Sequence, residues 1–287
     1  MITRAVIPAA GMGTRLLPAT KEQPKEMLPI FAPSSDGEFT VKPLLQLIFE
    51  QLYDVGIREF YFIIGRGKRI IEDHFTQDKD YLAHLERQRK NHCVDDLSAF
   101  YRRLDDSNVV WINQPIQLGF GDAILRAKKA IGDSDFLTHA GDTYIVSNGN
   151  KHLHDLNMIF TREKPDAIFL IKHMSDVRQR GVVQGSEISD GLYEVDMVVE
   201  KPEHPVSNLG IEPVCLFRHS IFKFLEETKP GTEDEVQLTD AIQGLINSGG
   251  KVIAWLLHDD SLRLDIGKPE SYWEAMQLSY RYASGKA

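Results

Sequence analysis

Apolar residues fall into two textures along this chain: short continuous runs closed by glycine or proline, and longer stretches with helical spacing between them. Residues 5–7 form a buried-type strand run that passes directly into Ala10, Gly11 and Gly13. Residues 43–54 place Leu44, Leu45, Ile48 and Leu52 on one helical face, and Gly56 closes that stretch. Residues 59–64 read as a second buried strand ended by Gly65. Residues 68–75 and 81–90 read as helices; Arg87, Arg89 and Lys90 sit near the end of the latter, where cations favour the helix dipole. A third strand at 109–113, a helix at 123–131 and a fourth strand at 136–140 complete the first half.

The texture changes beyond Asp142. A helix at 151–163 leads to a strand at 167–172, and strand-like runs follow at 181–188, 192–200 and 214–217. Helices at 220–228 and 238–248, a strand at 252–258 and an amphipathic helix at 270–282 end the chain. This pattern predicts one α/β domain: a Rossmann-like, mostly parallel central sheet flanked by helices, with a β-rich lobe beside it. Helices between successive strands imply parallel packing, so Arg15, Gln114 and Asp142, each following a strand, meet at the carboxyl edge where open α/β sheets bind ligands.

The Gly11-Met12-Gly13 turn lets the backbone come close to a ligand that a Cβ would hold off. It is not a dinucleotide fingerprint, because Leu16 stands at the third glycine position and Pro18, Pro24 and Pro29 forbid a long helix. It is not a P-loop either, since Gly13 is followed by Thr14-Arg15. What remains is an extended loop carrying Arg15, a planar fork for phosphate oxygens, and Lys25, a mobile point charge. Spacing alone fits an ordinary strand-to-loop turn equally well.

Composition narrows the partners. The chain has 287 residues and 42% apolar content, enough for a substantial core, and a net charge of −9 that disfavours nucleic acid. Cys93 and Cys215 lack metal-ligand spacing, so a reducing compartment is the default. No run reaches membrane-span length and the chain enters a strand at once, so no membrane association and a cytoplasmic location are expected.

Residues 5–29, and Lys25-Glu26-Met27-Leu28-Pro29 above all, resemble the signature of sugar-phosphate nucleotidyltransferases, in particular their bacterial and archaeal uridylyltransferase type. The resemblance runs in order to about residue 275 and includes a helical insert near 81–104. It implies Arg15 and Lys25 as catalytic cations, and Ala10, Gly11, Gly13, Thr14, Gln114 and Gly119 as nucleotide contacts. It implies Gly181, Glu200 and Lys201 at a sugar phosphate, and Asp142 and Asp265 as ligands of Mg²⁺. UTP and glucose 1-phosphate are the substrates implied, and a homo-oligomer, dimer or tetramer, follows by analogy.

On this reading a nucleotide-binding lobe covers about 1–145, a sugar-binding β-rich lobe about 146–218, and C-terminal helices with the second metal segment about 219–287. Residue chemistry allows these roles without requiring them: either aspartate alone reads as a turn or cap, and Glu200-Lys201 as an exposed strand end. Gln114 offers the amide donor and acceptor that a uracil edge needs, and Gly119 and Gly121 let the backbone approach it. Acidic residues in 234–242 read as helix N-terminal charges without a catalytic role.

The chain departs from the family pattern at the 32–40 insertion, at Arg180 where an aromatic is usual, at Asp122 where histidine is common, and at Glu212-Pro213-Val214-Cys215. The last three bear on the choice of sugar or base. Alternatives are therefore a thymidylyltransferase or a transferase for another hexose 1-phosphate, and a silent sugar-nucleotide-binding subunit.

Overall fold

A computed structural model describes residues 2–34 and 39–285. Its strands in chain order are Arg4–Pro8 (β1), Pro29–Pro33 (β2), Phe39–Pro43 (β3), Glu59–Ile64 (β4), Asn108–Asn113 (β5), Phe136–His139 (β6) and Thr143–Val146 (β7). Ala167–His173 (β8), Gly181–Ser189 (β9), Leu192–Glu200 (β10), Leu209–Phe217 (β11), Val252–Leu256 (β12) and Leu262–Asp265 (β13) follow. Nine of them form one sheet in the order β5-β4-β1-β6-β11-β8-β12-β10-β9. The β5-β4-β1-β6 block is parallel, β8 and β12 are parallel, and β11 runs antiparallel between β6 and β8.

Strand residues alternate between two cores, as the pleat requires. Ala5, Ile7, Phe60 and Phe62 enter one core with helices Leu44–Asp54, Asn91–Asp105 and Lys151–Glu163. Val6, Tyr61 and Ile63 enter the other with helices Phe120–Arg126, Ile221–Glu227 and Leu238–Asn247. Both faces are covered, which explains why these strands read as continuous apolar runs. Phe49, Phe60, Phe62 and Phe100 are fully buried, with ring centroids 4.5 Å apart for Phe49 and Phe60. Each such side chain contributes about 1.5–3 kcal/mol through burial.

Several local readings change. The helix expected at 123–131 begins at Phe120, after Gly119 at φ 103°, and divides into Phe120–Arg126 and Lys128–Ile131. The helix expected at 81–90 is Lys79–Arg87, capped by Asp78, which accepts the Tyr81 N–H at 2.8 Å; a second helix, Asn91–Asp105, follows it. The strand expected at 214–217 starts at Leu209, but its register with β8 breaks between Ile211 and Cys215, where Pro213 lacks an N–H to donate. The 32–40 insertion, read as a polar excursion, is flanked by paired strands: β2 and β3 form an antiparallel ladder in which Ile30 and Ala32 are buried. Residues 35–38 of that insertion lie outside the described residues. Among the described residues, no helix is long and apolar enough to cross a membrane.

Candidate active site

The loop after β1 turns at Gly13, whose φ of 66° is left-handed and whose carbonyl accepts the Thr20 hydroxyl at 2.7 Å. A short helical turn, Thr14–Leu16, then leaves Gly11, Thr14 and Arg15 exposed, while Ala10 is buried. The Arg15 guanidinium comes near the segment that follows β13, its Nη2 lying 3.6 Å from where a Cβ on Gly267 would stand. Lys25 opens a second short turn and forms an ion pair with Asp142. Burial works against the ammonium, but Asp142 and Glu26 hold its pKa above the usual lysine range. Directly behind it, Glu26 is 1% exposed and pairs with Lys68 at 2.8 Å. That buried pair fastens the loop to the segment following β4.

Asp142 follows β6, and Gly141 before it sits where a Cβ would come within 3.0 Å of the Pro8 carbonyl. The β7–β13 ladder sets Asp265 opposite Thr143, and the Ile266 N–H donates to the Asp142 carbonyl at 3.2 Å. The two aspartates expected to share a metal are thus brought side by side. Burial alone would raise both carboxyl pKa values; Lys25 at Asp142, and Arg263 with the Gly267 N–H at Asp265, hold them below the usual range. Asp265 accepts from Arg263 at 2.6 Å, from the Gly267 N–H at 2.7 Å and from Ser271 at 3.1 Å. Arg263 also donates to the fully buried Glu212 at 2.7 Å, and Arg180 lies 3.8 Å from Asp265.

Among the described residues, no group of three or more His, Cys, Asp or Glu side chains could hold a metal. Two ionised carboxylates still fit a hard cation whose remaining positions are filled by phosphates and water.

At the end of β5, Gln114 is 2% exposed and donates its side-chain amide to Asp122 at 2.7 Å and to the Gly119 carbonyl at 3.3 Å. Gly119 and Gly121 have a role internal to the chain: a Cβ on Gly119 would meet Glu235 at 2.7 Å, and one on Gly121 the Val236 carbonyl at 2.6 Å. The acidic 234–242 segment therefore straps this loop, with the Gly121 N–H donating to Val236 at 2.9 Å and the Val236 N–H to Leu118 at 2.7 Å.

In the β9–β10 pair, Gly181 stands in register with Glu200. A Cβ on Gly181 would stand 2.6 Å from Thr239 and 3.3 Å from the Glu200 carboxylate. Thr239 donates to Glu200 at 3.0 Å, and burial raises the Glu200 pKa despite that bond and Lys201. Lys201 has a left-handed φ of 42° and reaches Glu233 at 2.6 Å, while its N–H donates to the Arg180 carbonyl at 2.9 Å. A continuous path of contacts thus joins Lys25, Asp142, Asp265, Arg180, Gly181 and Glu200.

The nucleotidyl transferase family matches residues 4–281. The chain belongs to that family. It is 36% identical, over the full length of both chains, to the UTP–glucose-1-phosphate uridylyltransferase of Pseudomonas aeruginosa. It is also 36% identical to the Staphylococcus epidermidis enzyme of the same name, over 93% of this chain and 88% of that one. A solved apo UDP-glucose pyrophosphorylase superposes with TM-score 0.88 at 30% identity, covering 98% of this chain and 99% of that one. A UTP-bound enzyme of that kind from Acinetobacter baumannii gives 0.85 at 26% identity, covering 100% and 97%. Nucleotidyl transferases of this family generally use a divalent metal.

Several site neighbours escaped the sequence reading. Arg263 shares a strand face with Asp265 two residues on, and that spacing was a readable signal. Glu26, Lys68 and Thr239 gave none, because their partners come from remote segments.

Proposed function

We propose that this nucleotidyl transferase converts UTP and glucose 1-phosphate to UDP-glucose and pyrophosphate. A phosphate oxygen of the sugar attacks the α-phosphorus of UTP, the bond from that phosphorus to the bridging oxygen breaks, and the electron pair leaves with pyrophosphate. The observation that carries this reading is the juxtaposition of Lys25, Asp142 and Asp265. Relatives bearing the uridylyltransferase name, matched over all or most of their length, support it.

In this account Arg15 and Lys25 neutralise the nucleotide phosphates, where charge moves onto the leaving group. Ala10, Gly11, Gly13 and Thr14 lie along the polyphosphate, and Gln114 with Gly119 meets the base. Glu200 accepts from sugar hydroxyls and Lys201 balances the sugar phosphate, with Gly181 allowing close approach. Mg²⁺, held by Asp142 and Asp265, supplies charge neutralisation and orientation when bound. The reading also carries a cytoplasmic homo-oligomer.

UTP labelled at the α-phosphorus tests the chemistry. We expect the label in UDP-glucose and none in pyrophosphate, with Lys25→Ala slowing transfer by about two to three orders of magnitude. Label in pyrophosphate, or near-normal transfer by Lys25→Ala, would overturn the assignment.

A further inference from the structure

We infer that Asp122 is a positioning residue for base recognition, which locks the Gln114 amide so that the site accepts imide pyrimidines and rejects cytosine. The inference rests on the proposed base-binding role of Gln114 and goes beyond it by naming what fixes that side chain.

Gln114 could present either end of its amide to a base, since nitrogen and oxygen have nearly the same shape. Here the choice is constrained. Its nitrogen faces two acceptors, Asp122 Oδ2 at 2.7 Å and the Gly119 carbonyl at 3.3 Å. Flipping the amide would set oxygen against both. Asp122 is 4% exposed and cannot turn away, because Arg126 grips both of its oxygens, at 2.5 Å and 3.2 Å. An ionised carboxylate accepts and never donates, so the brace works in one direction only.

No donor among the described residues engages Gln114 Oε1. That acceptor is complementary to the imide N–H that uracil and thymine carry between two carbonyls. Cytosine has a lone pair at the same ring position, which would meet the lone pairs of Oε1. Asp122 is also a departure from the family pattern, so the brace belongs to this chain's own sequence. A histidine at 122 could donate or accept and would leave the amide free to choose.

The test measures kcat/KM for pyrophosphate release with Mg²⁺ and glucose 1-phosphate, using UTP and CTP in turn. Asp122→Asn keeps the size of the side chain but can donate, which removes the nearer of the two acceptors that oppose the Gln114 flip. We expect its UTP-to-CTP ratio to fall about tenfold or more, through the KM for nucleotide rather than kcat, because the flipped amide relieves an unmatched buried polar contact for CTP. A purely structural role for Asp122 would lower both substrates alike and leave the ratio intact. Gln114→Ala separates the two levels of the argument. A ratio that falls in Gln114→Ala but not in Asp122→Asn would overturn the inference and leave the base site standing. A ratio unchanged in both would remove the base site itself. Should Asp122→Asn fail to fold, Arg126→Met loosens the same carboxylate from a side chain that is 38% exposed, and an unchanged ratio there counts against the inference equally.

Discussion

The Ile266 N–H donates to the Asp142 carbonyl at 3.2 Å, and through that bond the end of β13 is held against the residue that follows β6. Asp142 and Asp265 come from distant parts of the chain, yet the β7–β13 ladder makes their spacing a property of the backbone. Arg263 and Lys25 then hold the carboxylates in place. Like charges are kept close without protonation, an arrangement suited to a cation arriving with a polyphosphate.

Removing the metal with a chelator should abolish pyrophosphate release, and Mg²⁺ should restore it. Asp265→Asn should raise the Mg²⁺ concentration needed for half-maximal rate and lower turnover by about two orders of magnitude. A titration of rate against Mg²⁺ that is unchanged in Asp265→Asn would refute the role given to this residue.

The Glu26–Lys68 pair makes a prediction about stability. Lys68→Met should destabilise the fold by about 3–5 kcal/mol, because it leaves a carboxylate buried without its partner. Adding Glu26→Gln should recover most of that loss. Urea unfolding of the two single variants and the double variant measures the coupling; additive effects would show that the pair does not act as a unit.

On the sugar side, Gly181→Ala should push Thr239 away from Glu200, since the new Cβ would lie 2.6 Å from the threonine methyl. We expect the KM for glucose 1-phosphate to rise about tenfold, with that for UTP changing little. Equal effects on both substrates, in steady-state kinetics, would argue against a sugar-specific role.

Two buried histidines set a pH dependence. Burial lowers His139 from 6.5 to about 4 and His152 to about 3. Above pH 6.5 neither the native nor the unfolded chain binds these protons. Below it the unfolded chain takes them up and the native chain does not, so stability falls with pH by up to about 1.4 kcal/mol per unit for each histidine. The loss continues to about pH 4 for His139 and about pH 3 for His152. Unfolding free energies measured at pH 7.5, 6 and 5 should show this slope, and His139→Gln should reduce it by one proton's share. An unchanged slope would mean that His139 charges in the folded protein.

The parallel strands and the edge they form were legible because β1, β4, β5 and β6 are apolar runs linked by helical spacing. Arg15, Gln114 and Asp142 each follow one of these strands, so the edge itself was the readable part of the site. The closeness of Asp142 and Asp265 was not legible from periodicity, since β7 and β13 have four residues each and pair across a long stretch of chain. Gly119 and Gly121 could be read as conformational freedom, but the need for them lies in Glu235 and Val236, which only the tertiary structure brings near. Likewise Glu26 looks like a surface charge in sequence, and its burial depends on Lys68 arriving from beyond β4.

The central claim is uridylyl transfer to glucose 1-phosphate, and pyrophosphate release over a matrix of substrates tests it most directly. UTP and dTTP would each be paired, with Mg²⁺ present, with glucose 1-phosphate, galactose 1-phosphate and N-acetylglucosamine 1-phosphate. The account predicts the highest kcat/KM for UTP with glucose 1-phosphate, lost in Asp142→Ala. A clear preference for dTTP or for another sugar phosphate, or no release with any pair, would contradict it.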